Sequence, residues 1–254
     1  MKHILDLEVI TVEQISVRYV LLKLTHPSPL PEIFPGQFVE VRVDSSPTTF
    51  LRRPISVNFL DKERNELWLL VAKVGSGTRS LASLKPGDTL NCILPLGKGF
   101  TMPRKFERML LVGGGVGIAP LLLFGKLIKE IGATPTFLLG ARTAADIPEL
   151  DNFKALGRVM ITTEDGSLGE KGFVTMHSCL KTENYDRIAT CGPKPMMKAV
   201  ADFARKNSIV CEASLENLMA CGLGACLCCV EKTTKGNLCV CKEGPVFNID
   251  SLLW

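Results

Sequence analysis

Cys221, Cys226, Cys229 and Cys241 fall in the spacing C-x4-C-x2-C-x11-C. That is the plant-type spacing for a [2Fe–2S] cluster held by four thiolates. Such a centre implies a loop wrapped around it. Gly222, Gly224 and Ala225 suit such a loop, because small residues let backbone N–H groups approach the sulfurs. Cys228 and Cys239 are further candidates. Using Cys228 as third ligand would leave only Leu227 between the second and third ligands, and Cys239 could stand in for Cys241. Structural zinc is the competing occupant, but it usually sits between two short Cys pairs. A disulfide knot fits less well than either.

The cysteines also bear on compartment. Seven of the ten lie between Cys211 and Cys241, whereas a disulfide scaffold would spread them along the chain. The N-terminal run Met1–Val9 carries acids, unlike a signal peptide, and no apolar stretch approaches the ~18 residues of a membrane helix. These features predict a cytoplasmic protein that does not enter a membrane. A net charge of +4 on 254 residues is too small to imply nucleic acid.

Residues 1–102 read as strands punctuated by turns. Val17–Leu24, Phe38–Val43, Ile55–Phe59 and Leu67–Val74 alternate in the strand manner. Pro35-Gly36, Gly75–Gly77 and Pro86-Gly87-Asp88 supply the turns. The pattern predicts a closed antiparallel β-barrel. Two features in it suit phosphate. Arg52-Arg53-Pro54-Ile55-Ser56 offers paired guanidinium donors. Gly75-Ser76-Gly77-Thr78 opens a helix expected over 79–84. With a dinucleotide domain following, they point to a flavin dinucleotide.

The pattern changes near Pro103. Arg108–Val112 is a short buried strand, followed by Gly113-Gly114-Gly115-Val116-Gly117 and by Pro120 at the start of a helix over 121–131. Strand, glycine turn and helix together make a pyrophosphate cradle. Ile118 replaces the last glycine of the usual fingerprint, and Pro120 is at home in a first helical turn. Further strands over 136–142, 158–163 and 186–190, with a helix over 196–206, predict a parallel-sheet α/β domain over 103–208. Cys191-Gly192-Pro193 ends one of these strands, where ligands bind. Cys191 reads either as a small buried thiol or as a contact beside a nicotinamide ring. Arg142 could reach a ribose phosphate, but no acid marks a ribose 2′-OH site, so NADH and NADPH both stay open.

Arg53-Pro54-Ile55-Ser56, the glycine turn with Pro120, and Cys191-Gly192-Pro193 together resemble the ferredoxin–NADP⁺ reductase superfamily. The tail, Glu216–Cys226 through Cys241-Lys-Glu-Gly-Pro-Val-Phe247, resembles the electron-transfer subunits of class 1B dihydroorotate dehydrogenase. The resemblance implies FAD on Arg53, Pro54, Ile55 and Ser56, on Leu70, Val71 and Ala72, and with its phosphates at Gly77 and Thr78. It implies NAD at Gly113, Gly114, Gly115, Gly117, Pro120, Cys191, Gly192 and Pro193. It implies a [2Fe–2S] cluster on Cys221, Cys226, Cys229 and Cys241, in a C-terminal domain over 209–254. The implied activity is electron transfer from a partner FMN-containing dihydroorotate dehydrogenase catalytic subunit, in a two-plus-two heterotetramer, to NAD⁺ during pyrimidine biosynthesis.

The residues offer no catalytic set for substrate chemistry. Paired carboxylates and a Ser/His/Asp arrangement are missing, and His3, His26 and His177 are scattered and read as surface residues. Two other readings stay open. One is a flavin and iron–sulfur subunit of a hydrogenase or of a ferredoxin:NADP⁺ reductase complex. The other is a zinc-ribbon module on a nucleotide-binding domain.

Overall fold

A computed structural model describes residues 1–44 and 46–254. The first sheet holds seven antiparallel strands: β1 (His3–Gln14), β2 (Tyr19–Thr25), β3 (Phe38–Val41), β4 (Arg53–Ser56), β5 (Phe59–Asp61), β6 (Glu66–Ala72) and β7 (Thr89–Leu96). Their order is β4-β3-β7-β1-β2-β6-β5. Register slips in β1 between Val9 and Thr11, and in β3 between Phe38 and Glu40, bend the sheet. It curls until β4 lies near β6, but β4 and β5 remain its edges. The barrel is therefore an open half-barrel, not the closed one that the strand pattern predicts. α1 (Ser76–Leu81) follows β6, three residues earlier than the sequence suggests.

Strand β2 shows why this region reads as a run of apolar residues. Val20, Leu22 and Leu24 pack inside the barrel, while Tyr19 and Leu21 pack outward against the next domain. Both faces are buried, so the apolar–polar contrast of a half-solvated strand is missing.

The second sheet is parallel through β8 (Met109–Gly114), β9 (Thr136–Ala141), β10 (Arg158–Thr163), β11 (Glu170–Lys171), β12 (Arg187–Cys191) and β13 (Val210–Ser214). The order β11-β10-β9-β8-β12-β13 reverses direction between β8 and β12, a switch point where α/β sheets bind ligands. The helices are α2 (Ala119–Glu130), α3 (Leu150–Leu156), α4 (Cys179–Thr182) and α5 (Lys194–Lys206).

The C-terminal segment adds a hairpin, β14 (Val230–Thr233) and β15 (Gly236–Cys239), then α6 (Val240–Glu243) and β16 (Val246–Asn248). Strand β16 pairs antiparallel with β13 and closes that edge. Cys229, Cys241 and Phe247 share one core with Phe38 and Leu96 of the barrel and Met197 of α5. The cysteine-bearing segment is thus wedged against both larger units. No helix among the described residues is long and apolar enough to cross a membrane.

Candidate cofactor sites

Strand β4 lies at the barrel edge, paired with β3 so that Pro54 faces Glu40 and Ser56 faces Phe38. The two arginines before it part ways. Arg52 donates to the carbonyls of Glu40 (3.1 Å) and Asn91 (3.0 Å), and to the Asn91 side chain. Its guanidinium is spent on the barrel itself. Arg53 turns toward α1, where a Cβ on Gly77 would stand 3.0 Å from Arg53 Nε and 3.0 Å from Thr49 Cγ2. The structure thus brings Arg53 and Gly77 together, so closely that a side chain at 77 would press on Arg53 and Thr49. The Thr78 hydroxyl is occupied: it accepts from the N–H groups of Val74 and Gly75, both at 3.0 Å. Any anion contact at Thr78 falls to its backbone.

On β6, Leu70 faces the core between barrel and nucleotide domain, while Val71 points into the barrel. Only the backbone of Val71 can meet a flavin. Residues that the sequence reading passed over join this region. Thr49 is buried, and its hydroxyl pairs with Ser46 (2.7 Å) and reaches Ser76 (3.4 Å).

The glycine turn and the Cys191-Gly192-Pro193 loop, expected to hold the nucleotide, converge at the switch point. A Cβ on Gly117 would stand 2.5 Å from Gly192 Cα and 2.6 Å from its nitrogen. The glycine turn after β8 and the Cys191-Gly192-Pro193 loop after β12 therefore touch backbone to backbone, 75 residues apart in sequence. Gly115–Ile118 form a 3-10 turn, and Pro120 sits in the first turn of α2. Cys191 is wholly buried and bonded to Ser214, and burial pushes its thiol well above the usual range. It is a neutral thiol at the crevice. A cavity of about 110 Å³ opens beside it between Gly192, Pro193, Glu216 and Asn217.

The four cysteines stand as two pairs. In the first, Cys221 Sγ accepts N–H bonds from Leu223 (3.3 Å) and Cys226 (3.5 Å), and Cys226 also bonds to it through its side chain. Those backbone donors pull the Cys221 thiol down to about 6. In the second, Cys241 N–H donates to Cys229 Sγ (3.4 Å), and Gly224 N–H donates to Cys241 Sγ (3.1 Å). Burial, then the Cys229 side chain, push the Cys241 thiol up to about 12. Gly222 and Gly224 take the left-handed φ values of 65° and 81°, which turn these N–H groups inward. Cys228 is exposed and Cys239 half-buried.

Glu40 carries a further signal. It is fully buried, and neither carboxylate oxygen has a hydrogen-bond partner among the described residues. Burial pushes its carboxyl up to about 7, against the pull of Arg52. It stands between β4 and Gly222 of the cysteine loop.

The chain is similar to proteins of known kind. The dihydroorotate dehydrogenase B (NAD(+)) electron transfer subunit of Shouchella clausii (strain KSM-K16) is 39% identical over 86% of each chain. That of Caldanaerobacter subterraneus subsp. tengcongensis is 41% identical over 87% of each. The chain belongs to the family of dihydroorotate dehydrogenase B electron transfer subunits. Residues 216–253 match the family described as the iron-sulfur cluster binding domain of dihydroorotate dehydrogenase B. The solved structure of an NADH-dependent reduced ferredoxin-NADP oxidoreductase, described in connection with flavin-based electron bifurcation, superposes with a TM-score of 0.88. It is 31% identical and covers 98% of this chain and 90% of that one.

His177 departs from the surface position that the sequence suggests. It is buried, and its Nδ1 accepts from Cys179 N–H at 3.0 Å.

Proposed function

We propose that the chain holds FAD, a [2Fe–2S] cluster and NAD, and passes electrons from dihydroorotate oxidation on an FMN-bearing catalytic subunit to NAD⁺ in pyrimidine biosynthesis. The observation that carries the cluster is the pairing of the thiols. Each iron of a [2Fe–2S] centre takes two cysteines, with sulfide completing its shell. Structural zinc takes all four ligands around one point. Cys221 with Cys226, and Cys229 with Cys241, match the first arrangement. The N–H donors of Leu223, Gly224 and Cys241 would hold the sulfur charge, as outer donors do at such centres.

Flavin supplies the exchange between two-electron hydride chemistry and one-electron transfer, and that chemistry belongs to the cofactor. The task of the chain is placement. Arg53 and Gly77 would hold the flavin pyrophosphate, with β4 from Pro54 to Ser56 and the Leu70–Ala72 backbone along the ring. Gly113–Gly117 and Pro120 would cradle the NAD pyrophosphate at the start of α2. Cys191, Gly192 and Pro193 would flank the nicotinamide.

Leu218, Leu223 and Leu227 are exposed beside the cysteine loop. They give it an apolar rim suited to the catalytic subunit, in an assembly expected to contain two of each. The crowding of seven cysteines between Cys211 and Cys241, rather than a spread disulfide scaffold, suits the reducing cytosol. The likeness to the ferredoxin-NADP oxidoreductase favours one second reading, a subunit of a ferredoxin-linked complex. Purification with native partners separates the two. Dihydroorotate-dependent reduction of NAD⁺ by a complex containing an FMN protein is the expected result. Ferredoxin-dependent reduction with no response to dihydroorotate would contradict the proposal.

A further inference from the structure

Asn58 lies two residues beyond β4, fully buried, in the gap between β4 and β5. Its own N–H donates to the Trp68 carbonyl at 3.0 Å, fixing it to the barrel wall. Its remaining groups reach into the other domain. The Asn58 carbonyl accepts from Leu123 N–H of α2 at 3.1 Å. Its side-chain Nδ2 donates to both carboxylate oxygens of Glu149, at 3.0 and 2.9 Å. Glu149 stands just before α3, in the loop that leaves β9.

Glu149 shows that this contact is held at a cost. Its backbone is left-handed, with φ 55°, a region that a non-glycine residue enters only when its surroundings impose it. Asn152 Nδ2 also donates to Glu149, at 3.1 Å. One barrel residue thus grips the two segments that border the nucleotide crevice: the helix after the glycine turn and the loop after β9.

We infer that the Asn58–Glu149 clasp is a positioning device that sets the nucleotide domain on the flavin barrel at the angle hydride transfer requires. The inference rests on the flavin and NAD reading above. Asn58 touches neither reacting ring. It acts by joining the end of the flavin strand to the elements that carry the nucleotide, so a change there moves one ring over the other. Hydride transfer depends steeply on that separation, and displacement by about 1 Å costs about a hundredfold.

The test uses the full chain with its cofactors and follows anaerobic flavin reduction by NADH. Asn58→Ala and Glu149→Ala should each lower the limiting rate at least about tenfold, with little change in the NADH concentration needed for half saturation. Iron, sulfide and FAD contents should match the wild type, which a general loss of folding would not allow. Glu149→Gln should restore the rate, because two amides can pair face to face through the unpartnered Asn58 Oδ1.

Hydrogen exchange at Leu123 should quicken in both alanine variants, with or without nucleotide. Wild-type rates and wild-type exchange in both variants would overturn the clasp. Faster exchange in the variants, with no reduction of the wild-type flavin by NADH, would support the clasp and refute the nucleotide reading instead.

Discussion

Glu40 and Gly222 are in direct contact across the seam between barrel and cysteine loop. A Cβ added at Gly222 would stand 2.6 Å from Glu40 Cγ and 3.0 Å from its Oε1. Glu40 faces Pro54 in the β3–β4 pair, so this is where the strand proposed to carry the flavin meets the cysteine loop. Gly222→Ala would meet that side chain and also force a left-handed φ on alanine, costing about 1–2 kcal/mol from the backbone alone. We expect iron and sulfide content to fall well below FAD content. Gly236→Ala is the control: its φ is 91°, but open space surrounds it. That variant should lose about 1 kcal/mol of stability and keep its iron.

The four cysteines differ in what their loss should do. Cys226→Ser should remove the cluster and leave FAD in place, since the flavin residues lie on the barrel. Cys228→Ser should assemble normally, because it is the neighbouring Cys229 that receives the Cys241 N–H in the buried pair. Visible absorbance with iron and FAD analysis reads both. Loss of FAD from Cys226→Ser would mean that the sites depend on each other.

Gly117→Ala would drive a methyl group into the Gly192 backbone, which cannot swing aside as a side chain can. NADH-driven flavin reduction should drop at least about tenfold, with cluster and FAD retained. Stopped-flow reduction alongside cofactor analysis makes the measurement.

Arg52 and Arg53 should separate stability from binding. Arg52→Ala strips donors from the Glu40 and Asn91 carbonyls and should cost about 1–3 kcal/mol of stability, seen as a lower Tm. Arg53→Ala should leave Tm nearly unchanged once FAD is removed, and weaken FAD binding in a titration.

The pH dependence follows from Glu149, whose carboxyl burial raises from 4.5 to about 7, opposed by the Asn58 and Asn152 hydrogen bonds. Between those values the folded protein holds a proton that the unfolded chain has released. Stability must therefore fall as pH rises through that window. Glu13 and Lys23 also face the group, with opposite effects. Glu149→Gln should flatten this part of the Tm profile between about pH 4.5 and 7. Glu40 and Glu216, raised in the same direction by burial, keep the remainder.

Much of this molecule was legible from local pattern. Cysteine spacing, glycine turns and strand alternation are short-range signals, and each maps to a local backbone need such as the left-handed φ at Gly222 and Gly224. What escaped is long-range. Ile55–Phe59 alternates like one strand, yet β4 ends at Ser56 and β5 begins at Phe59. The backbone of Asn58 is used instead to bond Leu123 and Trp68, and no local sequence marks that. The contacts of Glu40 with Gly222 and of Asn58 with Glu149 join residues far apart in the chain. Strand β16 likewise pairs with β13 from the far side of the cysteine loop.

The central claim is that the paired thiols hold iron and inorganic sulfide. Metal and acid-labile sulfide analysis of anaerobically purified protein tests it most directly. The account predicts about two irons and about two sulfides per chain, in yellow-brown protein that also yields FAD. Stoichiometric zinc without sulfide, in colourless protein, would contradict it.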